Sequence, residues 1–404
     1  MRTGWRTEPL GAVCQFLSRG ISPAYLDQGG VSVLNQKCVR DHTVNFDLGR
    51  RHNADAKNVS PEKLVRVGDI LVNSTGTGTL GRVAQIRVKP SEPTTVDSHV
   101  TIVRATEDLF YPEFFGYALV AIEEQIQDGG EGCGGQTELA RSKLANDYRI
   151  SFPIDREIQQ RIVTLLDDAF NRIAIAKSNA EKNLQNARAL FETYLESTFA
   201  QRNDDWTLKR LGDLATFRNG INFTKSSRGD TVKIVGVRDF QKDFWAPLDT
   251  LATVTTDGAL PESDLLKEND LLFVRSNGNK ELIGRCLLLG PVGERITHSG
   301  FTIRARLHGG DVKARYLCHF LKSNKARREM IDSGAGANIS SLNQTALAGL
   351  VIPFPSVSAQ GLIVQQIQTV AAQTQRLESI YQQKLAALDE LKKSLLHQAF
   401  SGAL

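Results

Sequence analysis

Two stretches of the sequence decide the fold: FPIDREIQQRIVTLLDDAFNRIAIAKSNAEKNLQNARALFETYLESTFA at residues 152–200 and IPFPSVSAQGLIVQQIQTVAAQTQRLESIYQQKLAALDELKKSLLHQAF at residues 352–400. In both, mostly small or apolar residues recur at steps of 4, 3, 4, 3, 4, 4, 3, 4, 3 and 4, and the two sets lie 201 residues apart. This is a heptad pattern with one extra four-residue step, a stutter that locally relaxes supercoiling. Each stretch predicts a helix of roughly 40–45 residues, about 60–68 Å long at 1.5 Å per residue.

Eleven positions of each helix form the predicted seam. They are Ile162, Leu166, Ala169, Ile173, Ala176, Ala180, Leu184, Ala187, Phe191, Tyr194 and Thr198, matched by Ile363, Ile367, Val370, Thr374, Leu377, Tyr381, Leu385, Leu388, Lys392, Leu395 and Ala399. The predicted coiled-coil frame consists of Ile162, Leu166, Ile173, Leu184, Phe191, Ile363, Ile367, Leu377, Leu385 and Leu395. Two unrelated helices, each packed on its own domain, would not share both the phase and the stutter. Because a globular stretch separates the helices, we expect them to run antiparallel.

The repeat continues outside the helices. Trp5 recurs as Trp206, Asp69-Ile70-Leu71 as Asp270-Leu271-Leu272, and Thr101-Ile102 as Thr302-Ile303. Apolar β-branched runs predict strands at 70–72, 82–88, 99–104, 232–237, 271–274, 284–289 and 301–307, and helical spacing predicts helices at 111–127 and 313–332. We therefore predict an α+β protein, with two pseudo-symmetric α/β domains at 1–151 and 202–352 separated by two long helices, at 152–201 and 353–404, that form an antiparallel coiled coil.

Composition indicates a soluble globular protein, because 41% of the 404 residues are hydrophobic and 23% are charged. No apolar run is long enough to cross a membrane, and the N-terminus lacks an apolar signal core, so we expect a cytoplasmic protein. The five cysteines are scattered and never form CxxC, which argues against a disulfide framework or a zinc finger. Residues 1–150 contain 17 Lys or Arg against 18 Asp or Glu, whereas residues 201–352 contain 22 against 17. The second domain's surplus permits nucleic-acid binding.

Residues 76–81, GTGTLG, match the GxGxxG motif of nucleotide-binding loops. A dinucleotide or S-adenosylmethionine site would require a helix to begin at the last glycine. Residues 82–88 alternate like a strand instead, so we predict a hairpin turn that uses the backbone freedom of glycine. The sequence also lacks Pro-Pro, GxxxxGK[ST] and HExxH, and no histidine pair has metal-ligand spacing. We expect no catalytic residue and no metal site in this chain.

Polar loops remain as candidate binding residues. Arginine can pair with guanine and asparagine with adenine in the major groove, while lysine and backbone amides hold phosphates. The candidate DNA-binding residues are Arg50, Arg51, His52, Asn73, Ser74, Thr75, Thr77 and Arg82 in the first domain, and Arg218, Asn219, Arg238, Arg275, Asn277, Asn279 and Lys280 in the second. Each loop alone is more often a solvated turn. Both copies have a polar hairpin at the same place, but with different residues. This favours the interpretation that the two domains recognise two different half-sites.

The sequence resembles the specificity subunits of type I restriction-modification enzymes over nearly its whole length. The resemblance is carried by the helix starts FPIDREIQQRIV (152–163) and IPFP (352–355), by the helix end at 395–402, and by the strand-turns GDILV (68–72) and NDLLF (269–273). The second helix start, VSAQG at 357–361, departs from the family's acidic and glutamine-rich pattern.

The resemblance implies a division of labour. Two target-recognition domains would each read one half of a split, asymmetric site in double-stranded DNA, and the coiled coil would fix the spacing. Two methyltransferase subunits would bind S-adenosylmethionine and methylate adenine at N6, while restriction subunits that translocate DNA would use ATP and Mg. This chain would hold no cofactor.

Three alternatives stay open. They are a coiled-coil scaffold that joins two protein-binding domains, a specificity chain of a related type II restriction-methylation system, and a self-contained methyltransferase or nuclease with degenerate motifs.

Overall fold

The computed structural model describes residues 4–130, 138–200, 206–241, 243–332, 335–336 and 339–401, with only the backbone at 335–336 and 339–340. The chain forms two compact units. Unit 1 comprises Met1–Asn179 and Lys384–Leu404, and unit 2 comprises Ala180–Gln383. Each long helix therefore contributes residues to both units. The predicted domain limits at 201–202 and the chain end at 402–404 lie outside the described residues.

Unit 1 contains twelve described strands and three short α-helices, followed by the first long helix. The strands are β1 (Trp5–Pro9), β2 (Cys14–Arg19), β3 (Tyr25–Leu26), β4 (Val31–Leu34), β5 (Val39–Arg40), β6 (Thr43–Val44), β7 (Arg50–His52), β8 (Ile70–Asn73), β9 (Val83–Gln85), β10 (Thr94–Val96), β11 (Val100–Ala105) and β12 (Arg149–Pro153). The helices are α1 (Pro112–Ala121), α2 (Glu123–Asp128), α3 (Arg141–Asn146) and α4 (Arg156–Ala200).

Two four-stranded sheets organise unit 1. The first has the order β2-β11-β8-β9 with antiparallel neighbours, and the second has the order β10-β4-β7-β3, in which β10 and β4 are parallel. Five of the six residues of the central strand β11 are buried, so both of its faces are covered. Helix α1 begins at Pro112, which suits a first helical turn, and buries Phe114 against the first sheet. The same core takes in Leu166 of α4 and Leu396 of the second long helix.

Unit 2 repeats this plan. Its strands are β13 (Thr207–Arg210), β14 (Ala215–Asn219), β15 (Thr231–Val235), β16 (Ala252–Thr255), β17 (Leu271–Val274), β18 (Cys286–Leu288), β19 (Ile296–His298), β20 (Thr302–Leu307), β21 (Ala335–Gly336), β22 (Ile339–Ser340) and β23 (Val351–Phe354). Its helices are α5 (Ala314–Leu321), α6 (Asn324–Asp332) and α7 (Gln344–Gly349), followed by the long helix α8 (Val357–Ser401).

The sheets of unit 2 follow the strand order of those in unit 1, except that the smaller sheet has three strands where its counterpart has four. One sheet runs β14-β20-β17-β18, and the other runs β16-β15-β19 with β15 and β19 parallel. Its main core joins the sheet and α5 to Phe199 of α4 and Ile367 of α8. Phe199 packs edge-on against Tyr316, with ring centroids 5.6 Å apart, and Phe320, at 5.4 Å. The predicted α+β fold with a duplicated α/β domain is confirmed.

The two long helices pair antiparallel within each unit. In unit 1, Lys177 of α4 bonds Asp389 of α8 at 2.6 Å. In unit 2, Arg188 bonds Glu378 at 3.0 Å. Of the 22 predicted seam positions, 21 are buried or half-buried, and only Leu377, at 38%, is exposed. The predicted seam is therefore the packed face of both helices, and Leu377 is a weak member of it.

The GxGxxG loop is a hairpin turn, as predicted. Strands β8 and β9 pair antiparallel on either side of it, and Gly81 donates its amide to the Asn73 carbonyl at 2.8 Å. Gly76, Gly78 and Gly81 all have positive φ, a conformation that residues with a side chain rarely adopt. No helix begins at Gly81, so the loop lacks the geometry of a dinucleotide site.

A buried ion pair anchors each domain at the same point. The carboxylate of Asp69 accepts hydrogen bonds from Nε and Nη2 of Arg104, both at 2.7 Å. The carboxylate of Asp270 accepts hydrogen bonds from the same two atoms of Arg306, at 2.8 and 2.6 Å. Both carboxylates are 1% exposed. Removing one partner would leave an uncompensated buried charge, which costs about 3–5 kcal/mol. These pairs explain why the Gly/Asn-Asp turn recurs in both copies.

The ion pairs also correct the alignment of the repeat. Arg104 and Arg306 lie 202 residues apart, not 201, and strand register gives the same answer. Thr101-Ile102 therefore corresponds to Ile303-Arg304, and the predicted match with Thr302-Ile303 is wrong by one residue. The second domain contains one extra residue ahead of β20, which a constant offset could not reveal.

One buried glutamine ties the start of each long helix to its domain. Gln159 donates to the carbonyls of Leu109 and Pro153 and accepts the Tyr111 amide, while Gln360 donates to those of Asp311 and Pro355 and accepts the Lys313 amide. Both side chains are fully buried. The departure of residues 357–361 from the family pattern is therefore confined to the neighbours of Gln360. Within the described part of the chain, no helix is long and apolar enough to cross a membrane.

Candidate nucleic-acid interface

Strand β7 presents arginines on the surface of unit 1. Arg50 is exposed, and its guanidinium lies 3.3 Å from the centroid of the Tyr25 ring. Arg51 is half-buried and bonds Glu92 at 2.6 Å. Such stacking orders the Arg50 side chain while leaving its N–H donors accessible. Arg50 is thus the stronger of the two candidates for a phosphate or a guanine.

Three candidates of the first domain are buried, and their assignment to DNA contact is corrected. The Nδ1 atom of His52 accepts the Ala24 amide at 3.0 Å, and its Nε2–H donates to the Lys57 carbonyl at 2.7 Å. Asn73 donates to the Gln36 carbonyl, and Ser74 shares a hydrogen bond with Thr101. All three side chains are 0% exposed. These hydrogen bonds tie the three side chains to the backbone and the sheet, although Oδ1 of Asn73 has no partner among the described residues. The three residues therefore hold the loops rather than read a ligand.

The first-domain hairpin keeps its polar surface at the turn. Thr75 is half-buried, and its hydroxyl bonds Gln36 at 2.6 Å and Nδ1 of His99 at 2.8 Å. Thr77 is exposed at the tip. Arg82 folds back to the Gly78 carbonyl at 2.9 Å. This surface offers hydroxyl and imidazole groups, which suit hydrogen bonds to base edges or phosphates.

The second-domain hairpin is an exposed amide-rich loop. Oδ1 of Asn277 accepts the Asn279 amide at 2.8 Å, and Oδ1 of Asn279 accepts the Glu281 amide at 3.0 Å. Lys280 is exposed beside them. These local bonds fix the turn, as asparagine side chains commonly do. The loop therefore presents Nδ2 donors and one ammonium group.

A cavity of about 840 Å³ in unit 2 brings some of these candidates together. Arg238 and Asn277 line it beside the apolar side chains of Ile221, Phe223 and Phe301. Phe223 is 39% exposed and Phe301 is 61% exposed, so the apolar wall faces solvent. Large aromatic side chains exposed beside polar donors are typical of a binding surface.

The other second-domain candidates lie outside this cavity. Arg218 forms an ion pair with Asp264, and Asn219 is exposed at the end of β14. Arg275 is half-buried. Its amide donates to the Phe301 carbonyl at 2.8 Å and its carbonyl accepts the Leu342 amide at 2.8 Å, so its backbone is committed to the scaffold.

Sequence reasoning missed two residues beside the hairpins. His99 and Phe301 are exposed, and their carbonyls accept the amides of Ser74 and Arg275, each at 2.8 Å. These matching bonds place them at equivalent points of the two domains. The 201-residue offset pairs Phe301 with Val100 instead, which hides the equivalence. The signal available in the sequence was a phenylalanine directly after Gly300, at the start of a predicted strand. No cluster of His, Cys, Asp or Glu side chains able to hold a metal ion occurs among the described residues.

Curated relatives are specificity subunits. The chain is 25% identical over 277 residues to the type I restriction enzyme StySPI specificity subunit of Salmonella potsdam, covering 65% of this chain and 59% of that protein. It is 20% identical over 221 residues to the type I restriction enzyme EcoKI specificity subunit of Escherichia coli (strain K12), covering 50% and 44%. The matches thus span less than two thirds of either relative.

Solved structures share the fold. One chain from a study of complex assembly and conformational transition of the type I R-M system has a TM-score of 0.79 at 17% identity, covering 100% of this chain and 99% of that one. The HsdS subunit of Thermoanaerobacter tengcongensis has a TM-score of 0.62 at 18% identity, covering 100% and 98%.

The sequence profile of one family matches the chain twice. It is described as the type I restriction modification DNA specificity domain, and it matches residues 3–186 and 203–386. Each match covers one α/β domain and most of the helix that follows it. The chain therefore belongs to the family of type I restriction modification DNA specificity domains and carries two copies.

Proposed function

We propose that this chain is a non-catalytic DNA sequence-specificity subunit that reads a split, asymmetric site in double-stranded DNA. The observation that carries the proposal is the duplicated scaffold with divergent surface residues. The ion pairs, buried glutamines and sheet orders repeat, whereas the loop positions carry His99 in one domain and Phe301 in the other. Two domains that share a scaffold but differ in their surface residues are suited to recognise two different half-sites.

The exposed DNA-binding candidates divide between the domains. Arg50, Thr77 and His99 would contact one half-site, and Arg238, Asn277 and Lys280 the other. Phosphate contacts position a protein on DNA and base contacts carry specificity. We expect part of the affinity to fall with salt, because phosphate neutralisation releases counterions.

Catalysis would belong to partner subunits. Two methyltransferase subunits would supply S-adenosylmethionine and methylate adenine at N6, and restriction subunits would supply ATP-dependent translocation and cleavage with Mg. Exposed apolar side chains on the long helices support a docking role for these helices. They include Leu165, Ile175 and Leu190 of α4 and Leu362, Ile380 and Leu391 of α8, of which Ile175 is 63% exposed.

Mapping of methylated adenines tests the proposal. The chain is co-expressed with candidate methyltransferase subunits, and methylated adenines are located across a genome. We expect one recurring split motif, and no methyl transfer from the purified chain alone. A double variant, Arg238→Ala with Asn277→Ala, is expected to change one half of the motif and leave the other intact. Methylation without a split motif would refute the proposal, and so would activity of the isolated chain.

A further inference from the structure

Phe301 is a highly exposed apolar side chain beside the second-domain hairpin. It follows Gly300 in the loop between β19 and β20 and is 61% exposed. Its carbonyl accepts the Arg275 amide at 2.8 Å, which fixes its backbone beside the hairpin at 275–280. The ring is thus an apolar surface held on a fixed backbone. A position that a folded chain leaves so exposed contributes little to its own core.

The side chains around Phe301 combine apolar surface with polar donors, among them Arg238 and Asn277. Ile221, Phe223 and Val254 line the same cavity. Asn277 also lines it, and its Oδ1 accepts the Asn279 amide. The Nδ2 group of Asn277 carries two N–H donors. In the major groove, thymine alone presents a methyl group, and its O4 acceptor lies beside that methyl. An apolar ring next to an amide donor matches this pair of groups.

The first domain has different chemistry at the equivalent point. His99 occupies it, as the matching bond from the Ser74 amide shows, and its Nδ1 bonds the Thr75 hydroxyl at 2.8 Å. An imidazole tied to a hydroxyl presents polar atoms and little apolar surface. The first domain therefore offers no counterpart to the Phe301 ring, and the difference between the domains is local.

We propose that Phe301 reads the C5-methyl group of a thymine in the half-site bound by the second domain, with Asn277 Nδ2 as the donor to the neighbouring O4 atom. The inference rests on the proposed function and deepens it, because it assigns one base contact to one residue. Phe301 is thereby a specificity-determining residue of the second domain.

Deoxyuridine substitution tests the methyl contact directly. The complex of this chain with its methyltransferase subunits is bound to duplexes that carry the mapped site, with each thymine of the second half-site replaced in turn by deoxyuridine. We expect one position where loss of the methyl weakens binding about fourfold, equivalent to about 0.8 kcal/mol. With Phe301→Ala, the thymine and deoxyuridine duplexes should bind equally at that position.

Two matched variants serve as controls. Trp245→Ala removes an exposed aromatic of unit 2 that does not line the cavity, and it should retain the deoxyuridine effect. His99→Ala should alter only the first half-site. A deoxyuridine penalty that survives Phe301→Ala would overturn the inference, as would a second half-site insensitive to every substitution. The inference would also be overturned if Phe301→Ala weakened binding to the thymine and deoxyuridine duplexes by the same factor. The ring would then contribute stacking rather than a contact with the methyl group. Absence of any split site would instead refute the proposed function.

Discussion

His298 lies in the core of unit 2, at the position where the first domain has Val96. Strand register places the two residues in equivalent parallel pairs, opposite Leu34 and Val235. The His298 side chain is 1% exposed, and its Nδ1 shares a hydrogen bond with the Thr302 hydroxyl at 2.9 Å. Burial first, and then repulsion from Arg304, Arg218 and Arg306, together lower the pKa of His298 to about 3.

Acidification should therefore weaken unit 2. In the unfolded chain a histidine titrates near pH 6.5. Below about pH 6 the unfolded state binds a proton at this histidine, whereas the folded state binds it only near pH 3. The stability that the neutral, buried His298 contributes is therefore present at neutral pH and is lost as the pH falls. We expect the free energy of unfolding to decrease by up to about 1.4 kcal/mol per pH unit from this group. Urea unfolding between pH 7 and pH 4 measures it.

Val96 suggests the matched variant, His298→Val. The variant should flatten the acid slope by up to about 1.4 kcal/mol per pH unit. The Thr302 hydroxyl keeps a partner, because it also donates to the Ser299 carbonyl at 2.7 Å. His308→Gln, at an exposed position, controls for the loss of a histidine as such. Identical acid slopes in native protein and His298→Val would show that the slope originates elsewhere.

Predictions of surface position from polarity alone were wrong for several single residues. His52, Asn73 and Ser74 are polar and lie in or next to turns, which favoured surface positions, yet each satisfies backbone or sheet partners in the interior. Burial of a polar side chain depends on partners distant in sequence, such as Thr101 for Ser74. Conversely, Phe301 is apolar and exposed. The identity of a site residue thus required the tertiary contacts.

At the scale of elements, the local sequence pattern was sufficient to predict the long helices but insufficient to predict the short strands. Heptad spacing extends over about 40 residues, so chance errors at single positions do not hide it. Strands of two or three residues, such as β3, β5 and β19, are too short for a period to emerge. Their partners in the sheets, including the parallel pairs, are set by residues far along the chain.

The first turn of each long helix depends on one buried glutamine. Gln159→Leu should lower the free energy of unfolding by about 3 kcal/mol or more, because two carbonyls and one amide would lose their partner and each buried orphan costs about 1–3 kcal/mol. Chemical denaturation measures the loss. Gln160→Leu is the matched control, since Gln160 is the exposed neighbour and its loss should change stability by less than about 0.5 kcal/mol. Similar effects of the two substitutions would contradict the anchoring role of Gln159.

At the scale of the whole chain, each unit contains an ion pair between the two long helices. Eleven residues separate Lys177 from Arg188 along α4, and eleven residues separate their partners, Asp389 and Glu378, along α8 in the opposite direction. The stutter lies between these pairs, at Ala180 and Leu184. An antiparallel coil with constant register can be lengthened only if both helices grow together, which makes the coil a testable ruler.

Adding one heptad to both helices should lengthen the DNA spacer. A copy of residues 174–180 is inserted after Ala180, and a copy of residues 379–385 is inserted after Leu385, so that the seam spacing is kept. Seven helical residues add about 10 Å, or about three base pairs at 3.4 Å each. Methylation mapping should then show unchanged half-sites with a spacer longer by about three base pairs.

The single insertion in α4 alone is the control for this ruler. It would displace Arg188 from Glu378 by seven residues and break the shared register, so we expect loss of methylation rather than a new spacer. The residues that read DNA are untouched in both variants, so the half-sites report on the recognition domains and the spacer reports on the coil. An unchanged spacer in the double insertion, or altered half-sites with a normal spacer, would exclude the coil as the element that sets the distance.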